Sequence, residues 1–122
     1  MKIRIQGNSI RIRLSKPEVD KLANEGVVEE KTSFGTTSFG YRLKKSETIT
    51  SLSASYENDR ITMEVPASLL LEWPTNNVVG FDENVQISET ETLYLLLEKD
   101  FKCLDNTTED QSDNFDNPNK TC

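Results

Sequence analysis

The sequence predicts a mostly β, α+β domain: a single antiparallel sheet, curled or closed into a barrel, of seven or eight short strands with two short helices. Three observations carry this. The opening KIRIQGNSIRIRL alternates apolar and cationic residues about a central Gly-Asn pair. The same two-residue alternation returns in residues 49–56, in Ile61, Met63 and Val65, and in residues 92–101. Only two stretches carry helix signals, and both are short.

The first hairpin follows from its turn. A two-residue Gly7-Asn8 turn supplies positive φ and sets the register. Gln6 then faces Ser9, Arg4 faces Arg11, and Lys2 faces Arg13. Ile3, Ile5, Ile10, Ile12 and Leu14 share one face, and all four cations share the other. A helix of two to three turns comes next. Ser15 and Glu18 fit a capping box, Pro17 suits the first turn, and Gly26 fits the left-handed end. Strands are expected over 27–34 and 39–44, about a turn flanked by the repeated Thr-Ser-Phe-Gly at 32–35 and 37–40. Residues 49–56 form a further strand, Asn58-Asp59 a turn, and Ile61 to Val65 the strand after it. Residues 66–73 read as a short helix between Pro66 and Pro74. Strands over 85–87 and 92–101 would close the sheet. In the last, Leu93, Leu95, Leu97, Lys99 and Phe101 share a face opposite Tyr94, Leu96, Glu98 and Asp100.

With 122 residues the chain suits one domain. The expected division is a globular β-rich domain over 1–104 and an acidic tail over 105–122 that can fold back on it. From residue 103 onward Asp105, Glu109, Asp110, Asp113 and Asp116 oppose Lys120 alone, a net of −4 within a chain total of −7. That balance is not the footprint of a general nucleic-acid binder. No apolar run approaches the ~20 residues of a membrane span. The start lacks the apolar region of a secretory signal, so the expected location is cytoplasmic. Cys103 and Cys122 make no disulfide framework and read as free thiols in a reducing compartment. The chain has no histidine. This removes Ser-His and Cys-His nucleophile pairs and most catalytic zinc sites. No cofactor is implied.

The candidate site is the cationic face. Arg4 opposite Arg11 and Lys2 opposite Arg13 set like charges in cross-strand contact, which costs up to roughly 1 kcal/mol per pair unless neutralised. An external phosphate or carboxylate could neutralise them, and Arg suits both. The chain's own acids could do so instead. Glu98 and Asp100 share a face, Glu29, Glu30 and Glu64 lie on nearby strands, and the tail offers Glu109, Asp110 and Asp113. The expectation is that the protein's own carboxylates supply most of the counter-charge.

Three other clusters are weaker. Asp110, Asp113 and Asp116 recur every third residue beside Glu109, but they lack the glycine and closing glutamate of an EF-hand, and read as a solvated tail. Glu98, Lys99, Asp100 and Cys103 could support acid–base work, yet strand alternation turns Lys99 away from both acids. Trp73 reads as a core anchor rather than a binding hot spot.

Several segments carry a resemblance: KIRIQGNSIRIRL, Glu18-Val19, FGYRL at 39–43, VP at 65–66, Trp73, VVGF at 78–81, EKDFKCL at 98–104 and EDQSD at 109–113. They resemble a family of small, mostly bacterial proteins classed as a domain of unknown function. The family's Pro-Asn-Pro-like ending departs here to Asp116-Asn117-Pro118. The resemblance implies that the tail belongs to the domain, and it implies no reaction.

The functional expectation is a non-catalytic binding or interaction module, its cationic hairpin face taking an unknown protein partner or a small anionic ligand. The alternative is a metal-dependent enzyme on a phosphate-bearing substrate. There Arg4, Arg11 and Arg13 would hold phosphates while Glu98 and Asp100 hold Mg²⁺ or Mn²⁺. Barrels that process triphosphates enclose such residues in a tunnel, but their Glu-x-Glu-x-Lys signature is absent. A third expectation is that the tail covers the cationic face as a mimic of its ligand.

Overall fold

The computed structural model describes residues 1–101. Its elements in chain order are β1 (Lys2–Gln6), β2 (Ser9–Leu14), α1 (Lys16–Glu25), β3 (Val27–Ser33), β4 (Ser38–Ser46), β5 (Ser53–Glu57), β6 (Arg60–Pro66), α2 (Ala67–Leu70), β7 (Gly80–Gln86) and β8 (Thr92–Lys99). The expected β-rich class with two short helices is present, but the single antiparallel sheet and the barrel are not. Two four-stranded sheets form instead, ordered β1-β2-β8-β7 and β3-β4-β6-β5, and neither closes.

Each sheet is built from two hairpins joined through their second strands. β2 lies parallel to β8, and β4 lies parallel to β6. The second strands carry the buried apolar residues: Ile12 and Leu14, Leu43, Ile61, Met63 and Val65, and Leu95 and Leu97. The first strands β1, β3, β5 and β7 are exposed or half-buried apart from Val28, and they take the edges. Burial of the apolar strands at the sheet centres drives this order. Charged, exposed edges then discourage further pairing, so neither sheet closes on itself.

The local signals form as read. β1 and β2 pair with Lys2 opposite Arg13, Arg4 opposite Arg11, and Gln6 opposite Ser9. Gly7 has φ 53°, the positive value a two-residue hairpin turn requires. Asn58 and Asp59 both have positive φ, 53° and 59°, and join β5 to β6. Ser15 caps α1, with Glu18 Oε1 accepting from the Ser15 amide and hydroxyl, each at 2.9 Å. Gly26 ends the helix at φ 85°. Lys45 Nζ donates to the Ala23 carbonyl at 2.9 Å, placing a cation against the negative end of the helix.

Three boundaries differ. The helix expected over 66–73 is confined to Ala67–Leu70. Trp73 is fully buried and its indole donates to the Val78 carbonyl at 2.8 Å, which turns the chain inward. β7 begins at Gly80, five residues before the expected strand, because Asp82, Glu83 and Asn84 hide its alternation. The strand expected over 49–56 is limited to Ser53–Glu57.

The inner faces of both sheets meet in one core with Val19 and Leu22 of α1, Leu52, Leu70 and Trp73. Phe81 packs against Trp73 with ring centroids 5.1 Å apart. No described helix is long and apolar enough to cross a membrane.

The first residue ties α1 to the second sheet. Its amine donates to Glu18 of α1 and, at 3.3 Å, to Glu30 of β3, whose carboxylate also accepts from the Tyr41 hydroxyl at 3.0 Å. Burial opposes charge on the amine, but hydrogen bonds and attraction from Glu18 and Glu30 outweigh it, so its pKa rises above 8.0. Burial likewise opposes charge on Glu18, but hydrogen bonds from the amine and Ser15 lower its pKa below 4.5. The raised amine contributes stability in full below pH 8.0 and loses it as pH rises through its folded value. The lowered Glu18 contributes stability in full above pH 4.5 and loses it as pH falls through its folded value. Urea denaturation across pH should therefore show a plateau between those limits, and Glu18→Gln should flatten both flanks.

Candidate functional site

The outer face of the first sheet is set by strand register. β2 places Arg13 beside Glu98 and Arg11 beside Leu96, while β7 places Gly80 beside Glu98 and Asp82 beside Leu96. Two rows therefore cross the face: Lys2, Arg13, Glu98, Gly80 and then Arg4, Arg11, Leu96, Asp82. A third row carries Gln6, Ser9, Tyr94 and Asn84.

The structure brings six of the nine expected site residues together here. Glu98 Oε1 accepts from both Arg11 and Arg13, the latter at 3.2 Å. Only 13% of the Glu98 side chain is exposed, so this carboxylate is largely shielded between the two guanidinium groups. Lys2 Nζ lies 2.9 Å from Asp100 Oδ2, while the Asp100 amide donates to the Leu14 carbonyl at 2.8 Å. Arg4 is exposed and has no hydrogen-bond or ion-pair partner among the described residues. Glu109, Asp110 and Asp113 lie outside the described residues, as do Cys103 and Cys122.

The remaining expected counter-charges are elsewhere. Glu29 faces Arg60 at 3.8 Å, Glu30 holds the first residue's amine, and Glu64 is in β6, all within the second sheet. Lys99 points away from Glu98 and Asp100, as alternation requires. Its Nζ donates to the Asn76 carbonyl at 2.7 Å and lies 5.7 Å from the Trp73 ring centroid. Trp73 is thus a core residue.

Two shallow cavities flank Arg4 and Arg11. One, of about 160 Å³, is bounded by Gln6, Ser9, Ile10, Tyr94 and Leu96 along with both arginines. The other, about 200 Å³, is bounded by Lys2, Ile3 and Arg13 with the same two. Both open outward from an unclosed sheet, and the described residues form no tunnel around them. Among the described residues no three carboxylates or thiols converge as metal ligands.

Sequence reasoning missed Asp82 and Gly80. Asp82 Oδ2 accepts from the Tyr94 hydroxyl at 3.1 Å. Burial, then the hydrogen bond and charge of Asp82, raise the Tyr94 pKa above 10.0. Gly80 lets β7 approach β8 beside Glu98, since a Cβ there would sit 2.2 Å from the Leu97 carbonyl oxygen. A glycine within a strand signals such an approach, but the strand itself had first to be located.

Two substitutions test this geometry. Gly80→Ala should lower stability by about 1–3 kcal/mol in urea denaturation, because the backbone must shift. Glu98→Gln should cost about 1–3 kcal/mol at low salt, because the part-buried network keeps an amide oxygen but loses the negative charge that its two arginines share. About 1 M NaCl should reduce that cost by screening the cations left unpaired.

The profile of a family of unknown function, DUF7009, matches residues 1–119. No curated protein and no solved structure matches the chain. The match runs from the cationic hairpin through the acidic segment, and by that extent the chain belongs to this family of unknown function.

Proposed function

We propose that this chain is a non-catalytic cytoplasmic binding module whose cationic hairpin face takes an anionic group between Arg4 and Arg11. One observation carries the reading. Of the five arginines in the sequence, Arg11 and Arg13 bond Glu98, Arg42 donates to Thr62 at 2.9 Å, and Arg60 faces Glu29. Arg4 alone has no such partner among the described residues, yet it stands directly opposite another arginine.

The electrostatics favour an added anion. Four cations on the hairpin face meet Glu98 and Asp100, and both arginine bonds to Glu98 use the same oxygen. Asp82 is two strands away from Arg11 and engaged with Tyr94. A phosphate or carboxylate at Arg4 would relieve the repulsion with Arg11 and gain charge-assisted hydrogen bonds. The outward, open placement of these residues suits binding of an exposed anionic group.

Thermal unfolding of the full chain with inorganic pyrophosphate tests this. At about tenfold excess over Kd, Tm should rise by about 5 °C. Arg4→Ala removes an exposed side chain and should fold normally but lose the shift. No shift in the native chain, or an equal shift in both proteins, would reject the reading.

A further inference from the structure

We propose that the acidic segment of residues 105–116 is the resident occupant of the hairpin face, with Glu109, Asp110 and Asp113 set against Arg4 and Arg11. This rests on the reading of that face as an anion site and names what fills it within the chain.

The described chain touches this face next to its end, at Asp100. Asp100 is already paired with Lys2 at 2.9 Å and held to Leu14 by its amide. Phe101, the next residue, is 62% exposed. From Lys2 to Arg4 is two residues along a strand, about 7 Å. From Asp100 to Glu109 is nine residues, which can span up to about 30 Å. Reach from Asp100 to Arg4 is therefore ample.

Charge gives the second argument. Residues 103–122 carry five acids against Lys120, and the hairpin carries four cations against Glu98 and Asp100, with Asp82 two strands away on the same face. A tethered segment acts at an effective concentration on the order of millimolar. It would thus occupy the face ahead of a dilute external monoanion. An outside ligand must present several charges to displace it, so the segment sets a valence threshold for binding.

A competing occupancy is available nearby. A cavity of about 310 Å³ is lined by Leu14, Val19, Pro74 and Phe101 together with Lys16, Lys99 and Asp100. It could take Phe115, the one large aromatic residue after Phe101. Charge matching favours the hairpin face for the acidic run, and the experiment separates the two.

The test uses the full chain carrying Cys103→Ser, Cys122→Ser and Gln111→Cys, with a nitroxide on the introduced thiol. Paramagnetic broadening should concentrate on the amides of Ile3, Arg4, Ile5, Ile10 and Arg11 at low salt. It should fade in about 1 M NaCl, where the Debye length falls to about 3 Å. Broadening centred on Leu14, Val19 and the residues after Pro74, or spread equally over β1 and β5, would overturn the proposal. A second arm replaces Glu109→Gln, Asp110→Asn and Asp113→Asn in the otherwise native chain. Pyrophosphate affinity should rise about tenfold, as the tethered competitor is lost; an unchanged affinity would count against the proposal. If broadening falls on the hairpin but neither chain binds pyrophosphate, the occupant stands and the external-anion reading fails.

Discussion

The parallel contact between β2 and β8 is the interaction on which the rest depends. It joins residues 9–14 to residues 94–99, nearly the full described length of the chain. On its inner side it sets Ile12 and Leu14 beside Leu97 and Lys99, closing the core under α1 and Trp73. On its outer side the same register sets Arg13 beside Glu98. A shift of one residue would exchange the two faces, burying guanidinium groups and exposing leucines. Core and cationic site are therefore two consequences of one register.

That coupling explains why the most repulsive part of the chain is tolerated. Arg4 and Arg11 oppose each other, and so do Lys2 and Arg13, so the hairpin alone has no internal remedy. β8 delivers Glu98 and Asp100 where β2 needs them. Gly80 on the next strand leaves the backbone room to approach Glu98. The exposed pair Lys2–Asp100 contributes little, since 73% of the lysine side chain is open to water. Glu98 contributes more, because its shielded carboxylate accepts from two donors.

What was legible in the sequence divides along physical lines. Hairpin register follows from a two-residue turn and period-two alternation, both local, so KIRIQGNSIRIRL could be paired residue by residue. Helix α1 carries its own start and stop at Ser15 and Gly26. The faces of β8 follow from alternation alone. The contacts between hairpins carry no such mark, because a parallel pairing across the chain leaves no turn behind. An antiparallel sheet was the natural default, and two mixed sheets are the outcome. β7 was misplaced because Asp82, Glu83 and Asn84 suppress the apolar signal on an edge strand. The counter-charge pairing was inferable only as a shared face, since the spatial partner of each arginine depends on β2 meeting β8.

The way this fold treats cations bears on its function. Lys45 and Lys99 are drawn toward the core, and each donates to a main-chain carbonyl, of Ala23 and Asn76. Those carbonyls lie in a helix end and a loop, where main-chain acceptors lack regular ladder partners. The hairpin cations face outward over the sheet, away from such main-chain ends, and those that are paired use carboxylate side chains. Glu98 and Asp100 serve three of the four. The fourth, Arg4, sits on the edge strand β1, without an ion-pair partner among the described residues and beside two open cavities. Edge strands use exposed charge to prevent unwanted pairing, and a single arginine fulfils that role. That role, however, does not require Arg4 to stand opposite Arg11. The opposition concentrates charge at one point between two recesses, an arrangement that protection of an edge leaves unexplained and that an anion would stabilise directly.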